Sequence, residues 1–269
     1  MSEMHQSLSG YFEKIGDKSY IDKYPQEIIN LLDLKGVIIE FGAGVGNDAK
    51  FLIKYLGVNP QNLFFVESDP FYSVSLRDNL EDLLGDAYYS SGRFEEEVLR
   101  NNYPDGLADF IYANNFLHCL GFKTMKEEVL FSIYNIANQI KNKRPEISEN
   151  FISRLEPMVS IKQKDKVRLV VEEAYRLLKS GGVFFGRTLS KEIDNDKLKL
   201  IKEKKNKTRD EIFSLETADA LNSCLLIGLS EYQLGEFCIN AGFNRYFFTA
   251  KNSGWKPTKD FYFRAEKSL

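Results

Sequence analysis

The chain has 269 residues, 43% of them hydrophobic and 28% charged, with a formal net charge of −3. That is enough for one α/β domain with an elaboration, or for two small domains. The mildly acidic balance argues against a broad nucleic-acid footprint, and no apolar run approaches the length of a membrane span.

In chain order, Tyr11–Lys14 and Tyr20–Leu34 read as helical, with Ile21, Tyr24, Ile28, Leu31 and Leu32 recurring near helical spacing. Val37–Glu40 reads as a buried parallel strand, and the following helix, Asp48–Leu56, is closed by the turn Gly57-Val58-Asn59-Pro60. Leu63–Glu67 is the second strand, and Pro70 suits the first turn of a helix reaching Leu84. Ala87–Ser90 is a short third strand, Glu95–Asn101 a helix, and Ala108–Ala113 the fourth strand. Residues 122–164 then break the order with a helix, a polar joint at Lys141–Glu149 and a further helix. Such a stretch predicts an inserted helical subdomain rather than a loop. The pattern resumes with a helix over Asp165–Leu178, a turn at Lys179–Gly182 and a fifth strand, Val183–Thr188. Ile193–Glu211 is lysine-rich and charged in both signs, which predicts an exposed helix. Ser230 and Gln233 suit a capping box for a helix that Gly242 ends, and Arg245–Thr249 and Lys259–Ala265 alternate as an antiparallel pair at one sheet edge.

The densest signal is Glu40-Phe-Gly-Ala-Gly-Val-Gly46. A strand, a glycine turn and a helix N-terminus bring backbone close to a ligand, and Asn47 or Asp48 can cap that helix. About twenty residues past the last glycine, the second strand ends on Glu67, where a carboxylate can accept both hydroxyls of a ribose. Two such strand ends point to a nucleoside site. Cys119, Cys224 and Cys238 lack metal-ligand spacing and His5 and His118 are the only histidines, so no metal site and reduced, buried thiols are expected. The opening residues Met1–His5 lack the apolar core of a signal peptide, which makes a cytoplasmic protein the expectation.

Together with Val66–Pro70, Ala108–Leu120, Leu177–Gly182 and Ala241-Gly242-Phe243, the glycine motif resembles the class I S-adenosylmethionine-dependent methyltransferases of small-molecule type. The resemblance spans about Tyr11 to Ala265. It implies a Rossmann-like α/β fold, a seven-stranded sheet with a final antiparallel strand pair and helices on both faces. It further implies one methyltransferase domain over residues 1–269, with residues 1–34 as an N-terminal helical cap and 122–164 as a cap over the substrate. The cofactor would be S-adenosyl-L-methionine. By this resemblance Glu40 lies near its amino group, Gly42, Ala43, Gly44, Gly46 and Asp48 pass along its methionine and ribose portions, and Glu67 takes the ribose hydroxyls. Ser68 and Asp69 follow the adenine edge, and Tyr11 or Tyr20 folds over the cofactor. Asn114 and Asn115 sit closest to the reactive methyl, or else form a turn. His118 is a candidate general base, or a structural histidine in its apolar run.

Two departures stand out. After the third strand the chain has Gly92-Arg93-Phe94, and an arginine cannot accept from the adenine amino group. Either Asp86 is the counterpart, or a backbone carbonyl serves, or adenine recognition is altered. The Asn-Asn-Phe after strand four lacks the double proline of relatives that methylate amides and nucleobases. A nicotinamide dehydrogenase would want a third glycine where Asn47 stands. The expected activity is methyl transfer to oxygen or nitrogen of a small, partly apolar acceptor, with no membrane partner and the oligomeric state open. The alternatives are a protein or RNA acceptor, or a non-catalytic cofactor-binding subunit.

Overall fold

The computed structural model describes residues 36–67, 70–84, 88–91, 103–114, 116, 117, 120, 164–222, 226–251 and 257–269. The expected N-terminal helices, the helix at 95–101 and residues 122–163 of the expected insertion lie outside these residues. So do Tyr11, Tyr20, Ser68, Asp69, Asp86, Gly92, Arg93, Phe94, Asn115 and His118, together with Cys119 and Cys224.

Strand β1, Ile38–Phe41, is buried along its whole length. An apolar run of this kind suits the middle of a parallel sheet covered on both faces. It pairs in parallel with β2, Leu63–Glu67, on one side and β4, Ala108–Asn114, on the other. Helix α1, Asn47–Leu56, connects β1 to β2, and α2, Pro70–Leu84, leads to β3, Tyr88–Ser91. Residues 164–177 form helix α3, which runs into β5, Leu178–Ile193. After β5 come α4, Asn195–Glu203, α5, Arg209–Asn222, and α6, Glu231–Ala241, before β6, Arg245–Lys251, and β7, Thr258–Glu266. The sheet order is β3-β2-β1-β4-β5-β7-β6, parallel through β5 and antiparallel beyond it. The chain reverses direction across the sheet between β1 and β4. A crevice opens at the carboxyl ends of strands at such a switch point.

Helices cover both faces. Ala49 and Leu52 of α1 and Leu76 and Leu80 of α2 pack on Ile38, Leu63, Phe65, Phe110 and Tyr112. Val167, Val170, Val171 and Ala174 of α3, with Leu234 and Cys238 of α6, pack on Ile39, Phe41, Ile111, Ala113 and Phe184. Ser230 and Gln233 make the expected capping box, and Gly242 ends α6 at φ 106. Among the described residues, no helix is long and apolar enough to cross a membrane.

Three expectations need correction. Neither Asn47 nor Asp48 caps α1: Gly46, at φ 83, takes the cap position with no side-chain cap bond, which leaves the Asp48 carboxylate for other partners. The Lys179–Gly182 turn belongs to β5, whose register against β4 jumps from Ala108↔Leu178 to Phe110↔Val183, so that these four residues bulge out of the ladder, with Gly181 at φ 77. The stretch 193–211 is not one exposed helix. Asp194 caps α4 by accepting from the Lys197 amide at 3.0 Å, and α4 buries Leu198 and Ile201. A second helix, α5, then begins at Arg209. Thr208 and Glu211 bond reciprocally at its start, the Thr208 amide donating to Glu211 at 2.9 Å and the Glu211 amide to Thr208 at 3.3 Å.

Candidate functional site

The glycine loop is held by its own backbone. The Gly42 amide donates to the Val66 carbonyl at 2.8 Å, tying the end of β1 to the end of β2, and the Gly46 amide donates to the Ala43 carbonyl at 2.9 Å. From α2, the Asn79 side chain donates to the Val45 carbonyl at 3.2 Å. The Gly44 amide donates to Oε2 of Glu67 at 2.9 Å, so the acid that ends β2 also fixes the centre of the loop.

The three glycines differ in what they face. A Cβ on Gly42 would stand 2.2 Å from Cδ2 of Phe116, and one on Gly46 would stand 2.7 Å from Leu76 and 2.8 Å from Leu80. Their missing side chains make room for the protein's own packing. Gly44, at φ 54, has nothing among the described residues within 4 Å of that position. It is the one glycine of the three that leaves space on the ligand side.

Around this space stand three acids. Glu40, Asp48 and Glu67 are 4%, 7% and 8% exposed. Burial raises the Glu40 carboxyl well above the usual carboxylate range. Asp48 pushes it further, the hydroxyl of Tyr112 across the strand pair pulls it back, and Glu67 adds a smaller push upward. Oε2 of Glu40 is buried without a hydrogen-bond partner among the described residues. Asp48 accepts from Nδ2 of Asn114 at 2.6 Å, which links the start of α1 to the end of β4. A group of buried carboxylates with an orphaned oxygen suits a ligand that brings positive charge and hydrogen-bond donors. Among the described residues no cluster of His, Cys, Asp and Glu is arranged to hold a metal ion.

The structure thus gathers Glu40, Gly42, Ala43, Gly44, Gly46, Asp48, Glu67 and Asn114 at one end of three adjacent strands. Sequence reasoning singled out Tyr112 only as an aromatic of a pocket or of the core, and it overlooked Asn79 and Arg187, the latter opposite Asn114 on β5. Strand alternation in Phe110-Ile-Tyr-Ala-Asn114 was the available signal that Tyr112 shares a face with Asn114.

No protein-family model and no curated protein matches the chain. Solved structures do match. A chain in the complex between the Haloferax volcanii Trm112 methyltransferase activator and the putative methyltransferase is 10% identical, with a TM-score of 0.55 over 98% of this chain and 96% of that one. PigF with SAH is 16% identical, with a TM-score of 0.53 over 98% of this chain. Haemonchus contortus phosphoethanolamine N-methyltransferase 2, in complex with phosphomonomethylethanolamine and S-adenosylhomocysteine, is 9% identical, with a TM-score of 0.52 over 87% of this chain. The chain spans 59% of the PigF chain and 49% of the Haemonchus one. At such identities the likeness is one of architecture: the chain has the fold of class I S-adenosylmethionine-dependent methyltransferases.

Proposed function

We propose that the chain binds S-adenosyl-L-methionine at the carboxyl ends of β1, β2 and β4 and transfers its methyl group to oxygen or nitrogen of a small, partly apolar acceptor. The observation that carries this reading is the set of buried carboxylates, Glu40, Asp48 and Glu67, around the open side of Gly44. The cofactor supplies an electrophilic methyl on a sulfonium, and its ammonium group and ribose hydroxyls fit the acids present. Glu40 would hold the ammonium group, and the Glu67 carboxylate, which also fixes the Gly44 amide, would accept from the ribose. Ser68 and Asp69 would follow the adenine edge, and Tyr11 or Tyr20 would cover the site. Among Asp86, Gly92, Arg93 and Phe94, the adenine contact belongs to whichever offers an acceptor.

Methyl transfer is an in-line displacement in which positioning lowers the barrier by several kcal/mol, on the order of what aligned reactants achieve elsewhere. Asn114, held by Asp48, would orient the acceptor from the end of β4, with Asn115 beside it. His118 would take the proton of a hydroxyl or amine acceptor. Residues 1–34 and 122–164 would close over the acceptor and exclude water, the arrangement a small molecule needs. A cytoplasmic location is part of this proposal. A second reading, a protein or RNA acceptor with an accessory partner, draws on the Haloferax complex, whose matched chain this one covers almost entirely.

Parallel calorimetric titrations with S-adenosylmethionine, S-adenosylhomocysteine and NAD test the cofactor. Micromolar binding of the two sulfur nucleosides, with none of NAD, is the expected result. Binding of NAD alone, or of none of the three, would overturn it.

A further inference from the structure

The sheet face that carries Glu40 continues past the proposed cofactor site onto β5 and β7. By register, Glu40, Tyr112, Phe185, Arg264 and Phe247 form one cross-strand row. Asn114, Arg187 and Tyr262 form the next, toward the carboxyl end of β4. Tyr112 stacks on Phe185 with ring centroids 5.7 Å apart. Beyond this aromatic pair the face turns ionic. Arg187 is paired with Asp260 and lies 5.9 Å over the ring of Tyr262. Arg264 is 5% exposed and pairs through Nη2 with Glu266 at 2.6 Å. Its Nε and Nη1 are both buried with no acceptor among the described residues.

A buried guanidinium with two unmet donors is costly, because water has been removed and nothing replaces it. The cost is offset where a ligand brings the acceptors. We propose that Arg264, with Arg187 beside it, anchors an anionic group, a carboxylate or a phosphate, on the methyl acceptor; this rests on the methyltransferase reading above. The acid then lies about two inter-strand spacings, ~10 Å, from the atom methylated beside Asn114. Asp260 and Glu266 balance the two cations in the ligand-free protein and leave the Arg264 donors as the recognition element.

The test uses the full chain saturated with S-adenosylhomocysteine. Phenyl phosphate and benzoate serve as charged probes, and benzamide as the uncharged counterpart of benzoate. At least one charged probe should bind tenfold or more tightly than benzamide, and the better of the two reports whether phosphate or carboxylate is the natural group. Arg264→Met should lower that affinity at least tenfold and leave S-adenosylhomocysteine binding unchanged. Arg264→Lys, which keeps the charge, should retain part of the preference. Benzamide binding as well as benzoate, no binding of either charged probe, or an Arg264→Met protein that binds the probes normally would each overturn the assignment. Failure to bind S-adenosylhomocysteine would strike the cofactor reading instead, and the same probes titrated alone would still report on Arg264.

Discussion

Nδ2 of Asn114, at the end of β4, donates to Oδ2 of Asp48, in the first turn of α1, at 2.6 Å. This bond joins the strand that faces the proposed acceptor to the helix that follows the cofactor loop. Asn114→Ala removes a donor from a buried carboxylate, a loss of about 1–3 kcal/mol, and should lower the melting temperature by a few degrees. Asn114→Asp should do worse, because it sets a second carboxylate against Asp48, whereas Asn114→Asp combined with Asp48→Asn should recover much of the loss. Thermal unfolding of the four proteins measures this directly. Equal melting of the single and double variants would remove the coupling.

Gly44 and Gly46 separate ligand space from packing space. Gly44→Ala meets no neighbour among the described residues and bears the cost of a left-handed backbone, about 1–2 kcal/mol. It should fold, yet bind S-adenosylhomocysteine at least tenfold more weakly, because the new methyl group occupies the open side of the loop. Gly46→Ala drives a methyl into Leu76 and Leu80 and should lose stability more than Gly44→Ala does. Calorimetry beside thermal melting distinguishes the two, and full affinity in Gly44→Ala would mean that the ligand does not pass there.

The half of the site on β1 and β2 was legible because parallel strands buried on both faces write themselves as apolar runs, here ending at Glu40-Phe41 and Glu67. Arg187 and Arg264 were not legible. Alternation in Phe261-Tyr-Phe-Arg-Ala265 sends Tyr262 and Arg264 to one face, and in an edge pair that face reads as solvated. The last strand instead inserts between β5 and β6, with a neighbour on each edge, and its residues are buried on both faces. Order within the sheet is a non-local property, and nothing in the strand itself records it. Helix α5 escaped for another reason: Ser214, Thr217, Ala218 and Ala220 are its buried residues besides Glu211, and such small or polar side chains draw no apolar stripe. The Thr208–Glu211 box was there to be seen.

Cys238 is buried against α3 and the sheet, and burial alone pushes its thiol up to about 12. At pH 8 it should be protonated and slow toward iodoacetamide in the folded protein, then react readily in denaturant. Peptide mass mapping scores it separately from Cys119 and Cys224. Rapid native labelling at Cys238 would show that α6 opens locally.

Glu40 couples stability, pH and ligand. Its folded-state carboxyl is raised, first by burial and then by Asp48, so the folded chain holds a proton there at pH values where the unfolded chain, titrating near 4.5, has released it. Between those two values the native state binds more protons than the unfolded state, and the stability of the ligand-free protein falls as pH rises. Above the folded value the loss is complete and the curve flattens. Glu40→Gln keeps the shape without the titration. It should be more stable than the parent at neutral pH and lack this pH-dependent loss in urea unfolding across pH 5 to 8. The same substitution removes the negative charge proposed to hold the ammonium group, so it should weaken S-adenosylmethionine binding at least tenfold. A variant that is stabilised and still binds normally would leave the buried acid unexplained by the cofactor, while parallel pH profiles for parent and variant would show that Glu40 is ionised throughout.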